Sequence, residues 1–322
     1  MNTTLWLVVP CYNEEEVLPA TAKKLREVLH TLIAAGKAGE GSRIVFVNDG
    51  SHDRTWQLIR ALHEEDPCFL GISLTHNRGH QNALLAGLME ARAHADVTIS
   101  LDADLQDDTD AIETMMDEYH AGAEIVYGVR SARNTDTFFK RFTAENYYRL
   151  LSSLGVEIVY NHADFRLMSR RSLDALAAYG ESNLFLRGMV PQIGMQTATV
   201  TYERRERTAG RSKYSLGKML ALAWDGISSF STRPLLLPYF GAAVCGVAAL
   251  ALFVAALIRR FALGIGGSGF FVSAAVFFVG VLLLLALGVL SQYVGKIYTE
   301  VKHRPRYLID EVLYDTVPLQ KK

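Results

Sequence analysis

The 322-residue chain is predicted to be an α/β protein: a mostly parallel sheet with flanking helices, followed by interfacial helices and two transmembrane helices. Three observations predict this. From residue 5 to about 130, short β-rich apolar runs alternate with amphipathic segments of ten residues or more, the pattern of consecutive βαβ units. The chemically interesting polar residues fall directly after the apolar runs, where open parallel sheets bind ligands. Two long uncharged stretches, Leu235 to Ile258 and Phe261 to Gly295, then follow, each able to supply the ~20 apolar residues that cross a ~30 Å hydrocarbon core.

In order, strands are expected at Leu5–Val9, Arg43–Asn48, Phe69–Leu74, Val97–Leu101 and Glu124–Tyr127, with helices near Glu15–Ala34, Asp53–Glu64, Gly79–Ala93 and Asp110–His120. A helix through Phe138–Leu154, a short strand at Phe165–Met168, a helix from Arg171 and a strand over Met195–Arg204 come next. Residues 213–232 interleave Leu216, Met219, Leu220, Trp224 and Phe230 with Lys218 and Asp225, an amphipathic stretch suited either to the membrane surface or to the soluble domain. The expected organisation is a catalytic domain over 1–210, juxtamembrane helices over 211–233, two spans with a short non-cytoplasmic loop over 234–295, and a tail over 296–322.

Half of the residues are hydrophobic and the mean hydropathy is +0.12, an excess concentrated in the two spans. The net charge of −1 provides no basic field for nucleic acid. Arg211, Lys213, Lys218 and Arg233 precede the first span and Lys296, Lys302, Arg304 and Arg306 follow the second, against only Arg259 and Arg260 between them. The positive-inside bias puts the catalytic domain and both termini in the cytoplasm of a multi-pass inner-membrane protein. No signal peptide is read at the N-terminus, because the first apolar run ends at Pro10 and lacks a basic flank. Cys11, Cys68 and Cys245 show neither metal spacing nor disulfide logic, in keeping with a reducing compartment.

The strongest local signal is Asp102-Ala103-Asp104-Leu105-Gln106. Two carboxylates one residue apart after a buried strand provide hard oxygen ligands for Mg²⁺ or Mn²⁺ shared with a diphosphate. The plainer alternative is a solvated acidic turn that caps the next helix. Asn13 and Glu14, Asp49 and Asn77 stand at the corresponding ends of the first three strands.

The ordered set PCYNEE (10–15), VNDGSHDRT (47–55), NRGHQNALLAG (77–87) and LDADLQD (101–107) resembles family 2 glycosyltransferases of the GT-A fold. DFRLMSR (164–170), RTAGRSKYS (207–215) and the paired spans narrow the resemblance to polyprenyl-phosphate glycosyltransferases, nearest to bactoprenol glucosyltransferases of the GtrB type and further from dolichol-phosphate mannose synthases. Thr109 departs from the pattern, which often has proline after the acidic run. The resemblance implies that Pro10, Tyr12, Asn13, Glu14 and Asp49, with Arg207, hold a nucleotide-sugar donor. It implies that Asp102, Asp104 and Gln106 bind the metal, and that Arg130, Lys140, Arg141, Ser212 and Lys213 meet the acceptor phosphate. Asp164 is then a base or an orienting group near the acceptor, or a structural partner of Arg166. His76 and His80 are read as site lining at most.

The reaction so implied is inverting transfer of a hexose, glucose from UDP-glucose in the first instance, to undecaprenyl phosphate at the cytoplasmic face. The partners are a UDP-sugar, polyprenyl phosphate and membrane lipid, with self-association and a separate flippase or downstream transferase. Alternatives are another donor (UDP-GlcNAc, GDP-mannose or a UDP-aminoarabinose derivative) or a non-catalytic membrane scaffold. A processive synthase would need a QxxRW signature and more spans, and a sugar nucleotidylyltransferase a GxGxR-type loop; neither is visible.

Overall fold

The computed structural model describes residues 3–130, 162–181, 185–202 and 268–314, with four further helical positions at Val247, Ala251, Val254 and Ile258. These divide into two compact units: a sheet unit that includes residues 305–314, and a helical unit that ends at Arg304.

The sheet unit contains β1 (Leu5–Cys11), α1 (Leu18–Ala34), β2 (Arg43–Asn48), α2 (Thr55–Glu65), β3 (Phe69–Leu74), α3 (His80–Ala91), β4 (Val97–Ser100), α4 (Ala111–His120), β5 (Ile125–Arg130), β6 (His162–Ser169), α5 (Arg170–Ala177), α6 (Leu186–Gln192), β7 (Thr197–Tyr202) and β8 (Ile309–Leu313). One eight-stranded sheet runs β7-β5-β6-β4-β1-β2-β3-β8. Strands β1 to β4 are parallel, β7 is parallel to β5, and only β6 and β8 run against the rest. The strand order reverses between β1 and β4, and at such a switch point the loops diverge and leave a crevice at the carboxyl ends.

The local chemistry explains these elements. β1 is buried on both faces, as a central parallel strand should be. Pro10 lies past Val8↔Ser100, the last pair between β1 and β4, so its missing N–H removes no bond to β4. In α1, Leu18, Ala22, Leu25, Leu29 and Leu32 recur at helical spacing and form the buried face, with proline in the first turn. Gly87 brings α3 against the sheet: a Cβ there would sit 2.4 Å from Val8 Cγ1 and 2.7 Å from Val47 Cγ2.

Several elements differ from the sequence reading. β5 continues three residues past Tyr127, β6 is twice the expected length, and α6, which contains Pro191, was not anticipated. The segment expected to be only a tail carries β8, which pairs antiparallel with β3 from Gly71↔Leu313 to Leu74↔Ile309 and closes that edge of the sheet. Trp56 Nε1 donates to Glu311 at 3.3 Å, and Arg60 also pairs with Glu311, which fastens β8 to α2. The expected helix at Phe138–Leu154 and the amphipathic stretch at 213–232 lie outside the described residues.

In the helical unit, α7 (Ser268–Val301) runs for 34 residues, about 51 Å at 1.5 Å per residue. Within it Phe278–Val301 has a mean hydropathy of 2.1 over a membrane-spanning length and none of that window is buried. Leu283, Leu284, Leu285 and Leu287 are all more than half exposed, which water would penalise and hydrocarbon would not. This helix corresponds to the second expected span. The first, Leu235 to Ile258, falls outside the described residues apart from its four helical positions, so among the described residues one helix is long and apolar enough to cross a membrane.

Overpacking at the α3–sheet contact is expected to be costly. Gly87→Ala should lower the unfolding free energy by about 1–3 kcal/mol, read as a lower midpoint in denaturant melts of the purified protein.

Candidate active site

The loops after β1 and β2 are stitched to one another. Asn13, held at φ 53°, donates its backbone N–H to Ser51 Oγ at 3.0 Å, and its Oδ1 accepts from the His52 N–H at 2.9 Å. The Glu14 N–H donates to Thr55 Oγ1 at 2.9 Å, and the Glu15 N–H to Asp53 Oδ2 at 3.1 Å. Asp49 closes the next gap: it is buried, and its two oxygens accept the backbone N–H groups of Arg78 at 2.7 Å and Gly79 at 2.9 Å, which holds the β3–α3 loop. Burial raises its carboxyl above the ordinary value, and the two N–H bonds oppose the rise. Gly50 makes this approach feasible, because at φ 61° a Cβ would lie 2.6 Å from the backbone of His76 and Asn77.

The acidic turn after β4 is held from beneath. Thr21 of α1, fully buried, donates its hydroxyl to the Ala103 carbonyl at 2.6 Å. Leu105 takes the left-handed conformation at φ 53°, and the Gln106 N–H folds back to Asp104 Oδ1 at 3.2 Å. A branched side chain in that region is strained, and its effect is to divide the turn. Asp102 and Asp104 remain partly open to solvent, while Gln106 and Asp107 are buried. Asp107 Oδ1 accepts the Tyr202 hydroxyl at 2.5 Å, tying the turn to the end of β7.

Across from this turn, β6 presents Asp164, whose side chain is 11% exposed. Arg187 of α6 grips both of its oxygens, Nε to Oδ1 at 3.1 Å and Nη2 to Oδ2 at 3.0 Å. Arg166 Nη2 lies 3.7 Å from Oδ1, and His80 Nε2 lies 3.6 Å from both Asp164 Oδ2 and Asp102 Oδ1. Desolvation alone would raise the Asp164 carboxyl, but His80, Arg187 and Arg166 together hold it well below the usual carboxylate range. His80 is itself raised: desolvation pulls it down, and Asp164 and Asp102 outweigh that. Asp102 is pushed up, first by desolvation and then by the charges of Asp107, Asp164 and Asp104, with His80 opposing. Arg166 is 3% exposed, lies over the Tyr127 ring, and its Nε and Nη2 have no hydrogen-bond partner among the described residues.

The fold therefore brings Asn13, Glu14, Asp49, Asp102, Asp104 and Asp164 to the carboxyl ends of β1, β2 and β4 and the facing part of β6. Pro10 is buried in β1, and Tyr12 stands exposed beside His52. Two of the expected roles look different in place. Asp49 already spends an oxygen on each of two backbone N–H groups, and Gln106 points into the protein beneath its turn. Arg130 ends β5, while Lys140, Arg141, Arg207, Ser212 and Lys213 lie outside the described residues. His80 and Arg187 are the residues that sequence reasoning underrated or missed. Arg187 sits in no motif, and only the antiparallel insertion of β6 beside β4 brings its partner to the site.

A mostly parallel sheet with its polar groups gathered at the switch point, beside an Asp-Ala-Asp turn, defines a GT-A-type domain. The chain belongs to glycosyl transferase family 2, whose model matches residues 6–177, from β1 through α5. It is 48% identical over 327 residues to the uncharacterized glycosyltransferase YkoT of Bacillus subtilis, covering 99% of this chain and 95% of that one. It is 40% identical over 306 residues to the bactoprenol glucosyl transferase of Shigella phage SfV, covering 94% and 97%. Among solved structures, the mannosyltransferase PcManGT of Pyrobaculum calidifontis, in complex with GDP-Man and Mn²⁺, aligns with a TM-score of 0.49 at 17% identity, over 94% of this chain and 87% of that one.

The Asp164 cluster has a pH signature. A carboxyl depressed in the folded state stabilises the fold at pH values above its unfolded pKa of about 3.9, and this contribution is lost as pH falls through the folded value. The difference in unfolding free energy between the native chain and Asp164→Asn should be greatest at about pH 5, decline as pH rises through the raised His80 range because Asp164 holds that proton on, and shrink toward pH 3 as Asp164 is protonated. Denaturant titrations across that range check it, and a difference that stays flat down to pH 3 contradicts the cluster.

Proposed function

We propose that the chain transfers a hexose, glucose from UDP-glucose first among the candidates, to a polyprenyl phosphate at a membrane surface, with inversion at the anomeric carbon. The observation that carries this reading is the Asp102–Asp104 turn at the switch point, facing Asp164 and its cations, in a family 2 chain. Near-full-length likeness to bactoprenol glucosyl transferases supports the acceptor and the sugar. The exposed apolar helix α7 supports a lipid environment.

The donor set suits a divalent ion. Asp102 and Asp104 offer hard oxygen ligands with one residue between them, and a cation would favour the ionised form of Asp102, which burial first and the neighbouring acids second push up. Among the described residues no three His, Cys, Asp or Glu side chains converge as a closed cage. Asp102 and Asp104 would hold Mg²⁺ or Mn²⁺ together with diphosphate oxygens and water. When bound, such an ion neutralises charge that develops on the departing nucleotide diphosphate. The chain's own residues do the rest. The stitched loops after β1 and β2 would seat the nucleoside, with Tyr12, Asn13 and Glu14 on that side. His80, Arg166 and Arg187 would supply positive charge toward phosphate oxygens. A phosphate oxygen of the acceptor attacks C1, the bond from C1 to the leaving diphosphate oxygen breaks, and the nucleoside diphosphate leaves with the electron pair. That nucleophile is already ionised near neutral pH, so no proton need be removed. Catalytic domain and termini on the cytoplasmic side, two spans and self-association belong to the same proposal.

Purified full-length protein with Mg²⁺ or Mn²⁺, undecaprenyl phosphate and a panel of nucleotide sugars should form a polyprenyl-phosphate sugar, fastest from UDP-glucose. Transfer from another donor alone would reassign the sugar, and no transfer from any donor would remove the proposal. Asp104→Asn should lower turnover by at least about 10²-fold, since metal stabilisation of a leaving group is worth several kcal/mol and each 1.36 kcal/mol is tenfold.

A further inference from the structure

Arg187 enters the site on α6, a helix with no recognisable motif, and it is held at two points. The backbone N–H of Leu186 donates to Gln81 Oε1 at 3.0 Å, and the guanidinium of Arg187 forks onto both oxygens of Asp164. Gln81 adjoins His80 in the first turn of α3, so the turn that presents His80 to Asp102 also docks α6. Asp164 is fixed in turn from the neighbouring strand, because Ser100 Oγ of β4 donates to its backbone carbonyl at 2.5 Å. The result is a rigid line, β4 to β6 to α6, that ends in a bidentate guanidinium. Such a fork fixes the direction of the cation as well as its distance. The Arg187 side chain is nevertheless 39% exposed, against 11% for the carboxylate that holds it.

From this geometry we infer that Arg187 binds a phosphate beside the Asp102–Asp104 turn during sugar transfer, and that Asp164 and Gln81 are positioning residues that aim its guanidinium, Asp164 doing so rather than taking up a proton. The inference rests on the proposed transferase reading. A carboxylate gripped on both oxygens by a guanidinium, with Arg166 and His80 close by, is a weak proton acceptor, and its depressed titration agrees. The phosphate served can be the donor's diphosphate or the lipid's monophosphate. The shared chemistry is a phosphate oxygen, and separate Michaelis constants tell the two sources apart.

The experiment compares Asp164→Asn, Arg187→Gln, Arg187→Lys, Gln81→Ala and the double variants in the full-length protein, with kcat, both KM values and pH profiles. Asp164→Asn and Arg187→Gln should each lower kcat/KM by about 10²-fold, the scale of a small misplacement of a positioning group. The double variant should lose far less than the product of the two single losses, because both changes break the same Asp164–Arg187 fork. Arg187→Lys should recover only part of the loss, since a point charge cannot reproduce the fork. The acid limb of the pH profile should stay where it is in Arg187→Gln. The KM that rises, for UDP-glucose or for undecaprenyl phosphate, names the phosphate.

Losses that multiply in the double variant overturn the inference. So does an acid limb that moves to higher pH in Arg187→Gln, as a proton-accepting Asp164 freed from its guanidinium would require. Should Asp164→Asn fail to fold, the pair Gln81→Ala and Arg187→Gln decides: Gln81→Ala should cost about tenfold and add nothing to Arg187→Gln, and multiplied losses again overturn it. Absence of transfer by the unsubstituted chain removes the transferase reading and this inference together. Transfer by that chain with multiplied losses removes the inference alone.

Discussion

Parallel pairing of β1 with β4, from Leu5↔Val97 to Val8↔Ser100, places two strand ends side by side whose following segments lead in opposite directions. The loop after β1 turns toward β2 and α2, where Ser51, His52, Asp53 and Thr55 receive it. The turn after β4 goes the other way, toward α4 and β7, where Tyr202 receives Asp107. Backbone pairing alone therefore opens a crevice with a hydrogen-bonded loop pair on one wall and a carboxylate turn on the other. Insertion of β6 antiparallel beside β4 adds Asp164 and Arg166 along the same margin. Each functional side chain depends on that register, because a slip of one residue would turn Asp164 and Arg166 to the opposite face, among Phe165 and Leu167.

Charge in this crevice is sorted by structure. Asp164 lies in the company of Arg187, Arg166 and His80 and is stabilised as an anion. Asp102 shares only His80 of these, and burial first, then the nearby Asp107, Asp164 and Asp104, disfavour its ionised form. The two carboxylates therefore suit different tasks: one organises cations already in the protein, the other suits a cation brought in with an anionic ligand. His80, 3.6 Å from each, spans the two environments.

Much of this was legible in the sequence, for physical reasons. Strands β1 to β5 and the helices between them followed from apolar periodicity, and the gathering of Asn13, Asp49 and Asp102 followed from each standing just after a strand. What escaped depends on interactions between residues far apart in the chain. The inward turn of Gln106 results from a left-handed Leu105, which no propensity favours. The clamp of Asp49 on the Arg78 and Gly79 N–H groups needs β3 beside β2, and local spacing shows only a turn-like Asp-Gly. Arg187 is one of 33 Lys and Arg residues until β6 delivers Asp164 to it. β8 looks like tail in the sequence because five residues after a long apolar helix carry little signal of their own. Its stability comes from β3, Trp56 and Arg60, which lie some 235 to 255 positions earlier.

Donor binding measured by calorimetry, with UDP-glucose titrated into the full-length protein in Mn²⁺ and again in excess chelator, tests the central claim most directly. The account predicts saturable binding in Mn²⁺ that chelation or the Asp102→Asn and Asp104→Asn substitutions weaken by at least about tenfold, the equivalent of 1.4 kcal/mol. Equal affinity with and without the ion, unchanged by either substitution, would contradict it.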